Sequence, residues 1–161
     1  MRTALAVLSC LALAACGFQL RGTASLPFET IYVPNASAGI ALDLKRNLRT
    51  GTSTRVLEEP AGAEAQLLFT EETRRKDILS LSSAGRVSEY RLIYRVGFRV
   101  ADGKGVEFLP HNVLTLTRDM TYDDAQVLAK EAEEQLLFRD MQADMVQQIM
   151  RRISTAQKPK T

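Results

Sequence analysis

Residue types that build catalytic and ring-stacking sites are scarce in this sequence of 161 residues. It has no tryptophan, one histidine and two cysteines, and aromatic residues make up 6%. So few aromatic rings argue against a site that stacks on bases or sugars. The formal net charge is only +2, from 21 basic and 19 acidic residues, so we expect no nucleic-acid partner. The length fits one domain, because domains average about 150 residues.

An apolar run opens the chain. Met1 and Arg2 precede the run Thr3 to Leu13, which is typical of a secretory signal peptide and is shorter than the roughly 20 residues of a membrane-spanning helix. The letters LAAC, which end at Cys16, resemble the lipobox of bacterial lipoproteins. Cleavage would remove residues 1–15 and leave the Cys16 thiol to carry a diacylglycerol. An ordinary signal peptide that happens to contain a cysteine is the alternative.

The mature chain would begin with its lipid anchor. Its one cysteine would be acylated, so the sequence predicts no disulfide and no cysteine metal site. The acyl chains would hold the protein at a membrane surface. Gly17 stands where inner-membrane retention signals typically have Asp, so by analogy with lipoprotein sorting we expect the outer membrane. Residues 16–28 are predicted to be a lipidated tether, because Gly17, Gly22 and Pro27 disfavour regular structure.

Alternating apolar residues predict five strands within residues 29–154. The strands are Glu29–Val33, Thr52–Leu57, Ala65–Leu81, Tyr90–Val100 and Val106–Arg118. Turn residues at 82–85 and 102–105 join the last three strands as hairpins. A bulge is predicted near Arg75, and Pro110 favours an edge position or a bulge in the last strand.

A spacing of three to four residues predicts two helices. The first helix would be capped by Asn35 or Ser37 and end at Gly51. The second begins after Thr121 and runs to about Ser154, with the apolar series Leu128, Ala132, Leu136, Leu137, Met141, Met145, Ile149 and Ile153.

The order of these elements predicts the fold class. We expect an α+β two-layer sandwich, with two helices packed on one face of a mostly antiparallel, four- to five-stranded sheet. Residues 29–154 would form this single domain, and residues 155–161 a flexible basic tail. The other sheet face would meet water or a partner.

The residues indicate no catalytic or metal site and no cofactor. His111 is the one histidine, and no cysteine or recognisable carboxylate partner accompanies it. The sequence has no GxSxG, P-loop or HExxH motif. The acid pairs at 123–124 and 133–134 are adjacent, so in a helix their side chains would diverge by about 100°. The protein is therefore predicted not to be an enzyme.

Charge is unevenly distributed along the chain. Residues 74–104 contain eight basic and three acidic side chains, and residues 119–144 contain eight acidic and two basic ones. Arg91, Arg95 and Arg99 recur every four residues and so lie on one face of a strand. Like charges on one face repel unless an anion or an acidic group lies over them. A phosphate-bearing ligand or an acidic protein wall is the predicted partner.

Four segments together resemble the LptE family of outer-membrane lipopolysaccharide-assembly lipoproteins, also called rare lipoprotein B. They are CGFQLRG at 16–22, SAGRVSEYRL at 83–92, LAKEAEEQ at 128–135 and QLLFRDMQADMVQQIMRRI at 135–153. The resemblance implies two helices on a four-stranded sheet and no enzymatic activity. It also implies lipopolysaccharide binding, and a very large β-barrel of the LptD type whose lumen holds the chain as a plug.

The resemblance further implies which residues engage lipopolysaccharide phosphates. Family members use basic residues near the tip between the two long strands and near the start of the last helix. Lys130, in LAKE, matches the second position, whereas Ser83 occupies the first. Arg86, three residues further on, is the candidate replacement. Arg91 is a third candidate from the basic strand face and not from the resemblance, and Arg and Lys make strong charge-assisted bonds to phosphates.

Two other functions stay open. The chain could be an independent lipoprotein that carries lipid or cell-wall fragments at the periplasmic side, in which case the purified domain would bind ligand alone. It could instead be an envelope hydrolase that depends on His111 or an acid pair, in which case loss of His111 would abolish function.

Overall fold

The computed structural model describes residues 25–34 and 37–157. The predicted signal peptide, Cys16 and most of the predicted tether lie outside the described residues. The proposed cap Asn35 and the last four residues of the predicted tail also lie outside them.

The described residues form five strands and two α-helices, which confirms the predicted α+β class. In chain order they are β1 (Thr30–Tyr32), α1 (Gly39–Gly51), β2 (Arg55–Leu57), β3 (Ala65–Leu81), β4 (Val87–Ala101), β5 (Glu107–Thr121) and α2 (Val127–Ser154), with a short 3₁₀ turn at Asp124–Gln126 before α2.

The five strands form one mixed sheet in the order β2-β1-β3-β4-β5. β3, β4 and β5 are long and pair antiparallel through the two predicted hairpins. β1 is short and pairs parallel with both β2 and β3. The parallel pairing of β1 with β2 follows from α1, because a helical crossover returns the chain in its original direction.

The irregular points of the ladder lie away from Arg75, so the bulge predicted there is wrong. Arg75 pairs in register with Ile93, and the β3–β4 register shifts instead between Phe69 and Glu71 and again around Ser80. The prediction for Pro110 is confirmed. The β4–β5 register shifts beside it, and β5 is an edge strand, where a residue without an N–H is tolerated.

The core lies between the helices and one face of the sheet. Its centre is the alternating series of β4, confirmed as fully buried: Leu92, Tyr94, Val96, Phe98 and Val100. The helices cover this face with Ile40, Leu44 and Leu48 from α1 and Met141, Met145, Ile149 and Ile153 from α2. Burial of these side chains is the main favourable contribution to folding, at about 1.5–3 kcal/mol for each large one.

The start of α1 differs from the prediction. Its N-cap is Ala38, no side chain bonds to the first turn, and Ser37 is therefore not the cap. Gly39 opens the helix with φ at +61°, a conformation that favours glycine. The predicted end at Gly51 is confirmed.

The apolar series that predicts α2 is divided between two faces of the helix. Every buried residue of α2 lies between Met141 and Ile153. Leu128 is 82% exposed and Leu136 is 50% exposed. Leu136 and Leu137 are about 100° apart around the helix axis, so they lie on different sides of the helix. Leu137 packs against the core, whereas Leu136 points away from the sheet. The first half of α2 therefore presents apolar side chains outward.

Packing extends beyond both ends of the predicted domain. Leu26 and Phe28 are buried although the prediction put them in the tether. The Phe28 ring meets the Phe108 ring edge to face, with centroids 5.5 Å apart. At the other end Ala156 is buried and the Gln157 N–H donates to the Phe108 carbonyl. Both ends of the domain therefore pack against the start of β5.

Candidate functional site

The three arginines on the open face of β4 are neutralised within the chain. Arg91 donates from Nε and Nη2 to both oxygens of Asp119, at 2.7 and 2.8 Å. Arg95 pairs with Glu71, and Arg99 lies 3.4 Å from Glu107. The prediction that an external anion or acidic wall must satisfy them is therefore wrong. The spacing along one strand could not show which acids the neighbouring strands bring opposite.

Pairing shifts the titration of the Arg91–Asp119 pair. The hydrogen bonds from Arg91, with its positive charge, lower the pKa of the Asp119 carboxyl, and the same bonds raise the pKa of Arg91. Both side chains are more than two-fifths exposed, so the pair contributes little to stability. It does keep the Arg91 guanidinium engaged.

Two ion pairs join the basic segment of the sequence to the acidic one, Arg91–Asp119 and Lys76–Glu134. Lys76, in the basic segment, donates to Glu134 of α2 at 2.6 Å and lies 4.8 Å from the centre of the Tyr90 ring. The bond to Glu134 raises the pKa of Lys76 despite partial burial. Arg118 of β5 donates to Asp144 at 2.8 Å. Lys76 and Arg118, one base on β3 and one on β5, thus attach α2 to the sheet, and this part of the charge pattern is structural.

A partly buried hydrogen bond lies beside the middle of α2. The Tyr94 hydroxyl donates to Glu72 at 2.7 Å, and burial, followed by this bond, raises the pKa of Tyr94. The Arg74 guanidinium lies 4.9 Å from the Tyr94 ring centre and 5.8 Å from that of Phe138 on α2. Such cation–π contacts add to the packing between β3 and α2.

Two of the three predicted phosphate-binding residues, Lys130 of α2 and Arg91 of β4, contact the end of β5. The Lys130 amino group donates to Glu133 at 2.8 Å and to Thr121 at 3.1 Å, and its side chain is only 15% exposed. Thr121 is two residues from Asp119, the partner of Arg91, on the same strand. Lys130 and Arg91 thus contact β5 residues that are two positions apart, but both already have carboxylate partners.

Arg86 lies in the tight turn between β3 and β4. Its carbonyl accepts from the Ser82 N–H at 2.7 Å and its own N–H donates to the Ser82 hydroxyl. Gly85 supplies the positive φ of +75° that the turn requires. The Arg86 side chain is exposed, and in the described part of the chain no carboxylate lies within 4 Å of it. Arg86 is therefore available to an anionic ligand.

Exposed apolar side chains accompany Arg86 at this end of the molecule. We call the β3–β4 turn with the adjoining ends of both strands and the start of α2 the distal end. Ile78 is 60% exposed and Leu81 is 58% exposed. The sequence pattern does not mark these residues as part of a site, because it does not show that the strands extend beyond the part of the sheet that the helices cover. The distal end thus combines apolar surface with a cation that has no carboxylate partner in the described part of the chain.

The residues proposed for catalysis do not converge. The His111 imidazole is 3.0 Å from the Thr70 hydroxyl, and no carboxylate contact to it is present in residues 25–34 and 37–157. Asp123 accepts from the Ala125 N–H at the start of the 3₁₀ turn. Glu133 and Glu134 diverge as predicted, to Lys130 and Lys76. The described ranges 25–34 and 37–157 contain no cluster of three or more residues that could hold a metal ion.

Comparison with known proteins identifies the family. The family model described as LptE, lipopolysaccharide-assembly, matches residues 28–153. The chain belongs to the LptE family. The LPS-assembly lipoprotein LptE of Photorhabdus laumondii is 26% identical over 157 residues, which cover 95% of this chain and 85% of that protein.

Solved structures of lipoproteins share the fold of this LptE-family chain. Lipoprotein B from Nitrosomonas europaea, solved by NMR, is 44% identical with a TM-score of 0.73, covering 86% of this chain and 90% of that one. A minor lipoprotein from Acinetobacter baumannii is 25% identical with a TM-score of 0.67, covering 84% of this chain and 99% of that one.

Membership in the LptE family confirms the predicted resemblance and gives the chain a role in lipopolysaccharide assembly. The matched residues 28–153 coincide with the packed domain, which starts near Leu26 and ends near Ala156. The family is named for assembly and not for a catalytic activity. Neither described helix is long and apolar enough to cross a membrane.

Proposed function

We propose that this chain is the non-catalytic lipoprotein subunit of the outer-membrane lipopolysaccharide translocon. In this proposal Cys16 carries the lipid anchor on the periplasmic side of the outer membrane. The domain occupies the lumen of an LptD-like β-barrel, assists its assembly and binds lipopolysaccharide on its way to the cell surface. Membership in the LptE family supports the proposal, as do relatives named LPS-assembly lipoproteins.

The composition of the distal end supports lipopolysaccharide binding, and this is the observation on which we rely. A phosphorylated acyl lipid needs a cation for its phosphates and apolar surface for its chains. Arg86 is exposed without a carboxylate partner among the described residues, and Ile78 and Leu81 are exposed beside the same turn. Lys130 and Arg91 would have to exchange Glu133 and Asp119 for phosphate, so we assign them a smaller contribution.

Purification from native membranes tests the barrel partner. Outer membranes that contain the full-length chain would be solubilised and the chain isolated through a C-terminal tag. We expect an LptD-like barrel in a stable complex with it, identified by mass spectrometry. Substitution of Cys16→Ser, which prevents acylation, is the control for the anchor. Recovery of the unsubstituted chain only as a free monomer would contradict the proposal.

The two alternative functions make different demands on the structure. A carrier of acyl chains needs an enclosed apolar space. The groove of about 860 Å³ at the opposite end of the sheet is open and is lined mainly by polar residues such as Glu29, Thr54, Arg55 and Glu64, so it does not suit acyl chains. The hydrolase alternative predicts loss of function in the variant His111→Ala, whereas we expect that variant to retain lipopolysaccharide assembly.

A further inference from the structure

The outer face of α2 carries apolar residues that no described element covers. Leu128, Ala132 and Leu136 repeat every four residues and so lie along one side of the helix. Leu128 is 82% exposed, Leu136 is 50% exposed, and Ala132 is also exposed. We call these three residues the α2 stripe. Water contact with such a row is unfavourable, so it is typical of an interaction surface.

The open face of the sheet differs from the α2 stripe in this respect. Its charged groups pair with one another, as in Arg91–Asp119 and Arg95–Glu71. The Thr70 hydroxyl and the His111 imidazole also satisfy each other there. These polar groups on the open face already have partners within the chain, so they can face water without a further partner. Of these two faces, the one that gains more from a partner is therefore the α2 stripe, on the opposite side of the molecule.

Charge near the stripe indicates the kind of partner. Asp124, Glu131 and Asp140 are exposed, and within the described residues no basic group lies within 4 Å of their carboxylates. Arg139 is an exposed base on the same part of the helix. An anionic lipid would face three carboxylates and one base, so its charge would be repelled. A second copy of this chain would place its own carboxylates against these, and the two sets would also repel each other. An apolar protein surface with basic residues at its border fits better.

We propose that the α2 stripe packs against the inner wall of the enclosing barrel, on an apolar patch bordered by basic side chains. This inference rests on the proposed function, and it states which surface of the chain makes the stabilising contact. It assigns that contact to α2 and not to the open sheet face.

A matched pair of substitutions tests the assignment in the full-length lipoprotein with its barrel. Leu128→Gln with Leu136→Gln removes the apolar contact and keeps residues that favour helix. Val113→Gln, at a 37% exposed site on the open sheet face, is the control. We expect at least roughly a fivefold loss of co-purified barrel with the double variant, since loss of a buried leucine contact costs more than 1 kcal/mol, and less than about a twofold change with the control. Circular dichroism and the thermal midpoint of each isolated lipoprotein establish that it is folded.

A second variant tests the charge argument. Glu131→Lys with Asp140→Lys should also reduce the amount of complex, because lysines would face the basic border of the patch. Equal recovery of barrel with every variant would overturn the α2 assignment and leave the proposed function intact. Loss of co-purified barrel with Val113→Gln alone would also overturn the α2 assignment. The assignment would likewise fail if the stripe variants changed only lipopolysaccharide binding or self-association. Absence of barrel from the unsubstituted sample would instead overturn the proposed function.

Discussion

Thr70 and His111 contact each other across a strand that lies between them: the Thr70 hydroxyl on β3 and the His111 imidazole on β5 are 3.0 Å apart above Gly97 of β4. A Cβ at position 97 would lie 2.5 Å from Thr70 Oγ1, 2.8 Å from Glu71 Cγ and 3.3 Å from His111 Nε2. Gly97 is therefore required for space. The histidine on which the hydrolase alternative would depend thus has a structural partner.

Replacement of Gly97 by Ala should destabilise the fold. The added methyl group must displace Thr70 or Glu71, and overpacking of this kind costs about 1–3 kcal/mol. Equilibrium unfolding in urea measures the difference. Gly51→Ala is the matched control, since a Cβ there meets nothing within 4 Å and the site is helical, so it should be neutral or slightly stabilising. Equal stability of the two variants would show that the space above Gly97 is not restricted.

The Asp119 carboxyl should titrate below its ordinary pKa of 3.8, because Arg91 donates two hydrogen bonds to its charged form. A carboxyl whose pKa is lowered by folding stabilises the fold above its ordinary pKa, and the contribution is lost as the pH falls through the lowered value. Carbon NMR of the side chain measures the titration. Arg91→Gln should return the pKa toward 3.8, and Arg86→Gln should leave it unchanged. An Asp119 pKa at or above 3.8 in the unsubstituted protein would refute the pairing.

Arg86→Glu should weaken lipopolysaccharide binding by the purified lipoprotein. A hydrogen bond to a charged group is worth about 1.5–3 kcal/mol, which corresponds to roughly tenfold or more in affinity. Lys104→Glu makes the same charge change in the exposed turn at the other end of the sheet and is the control. The Kd should rise with the first variant only. Equal effects of the two variants would indicate a response to net charge and not to a site.

The two halves of α2 should differ in their contribution to stability. Ile149 is completely buried, so Ile149→Ala should cost about 2–5 kcal/mol. Leu128 is 82% exposed, so Leu128→Ala should change the free energy of unfolding by about 0.5 kcal/mol or less. Urea unfolding of the isolated lipoprotein measures both. A large loss with Leu128→Ala would mean that the outer face of α2 is covered within the chain.

Much of the fold could be predicted from local pattern. The alternation from Leu92 to Val100 marks the buried face of β4, since side chains on a strand point alternately to its two sides. The glycine turns define the hairpins, and the position of Pro110 reports an edge. The start of α1 was less predictable, because Gly39 opens the helix without a capping side chain.

The amino-acid sequence alone therefore determined the fold class, the buried face of β4 and the family, because each is encoded in residues close together along the chain or in their order. Only the tertiary structure decided which charges remain available. Asp119 lies opposite Arg91 through strand register, and Glu134 meets Lys76 through the docking of α2, across 28 and 58 residues of sequence. Those contacts engage Arg91 and Lys76, whereas Arg86 has no carboxylate partner among the described residues. Docking likewise turned Met145 inward and Leu128 outward, because a helix can bury only one side against a sheet.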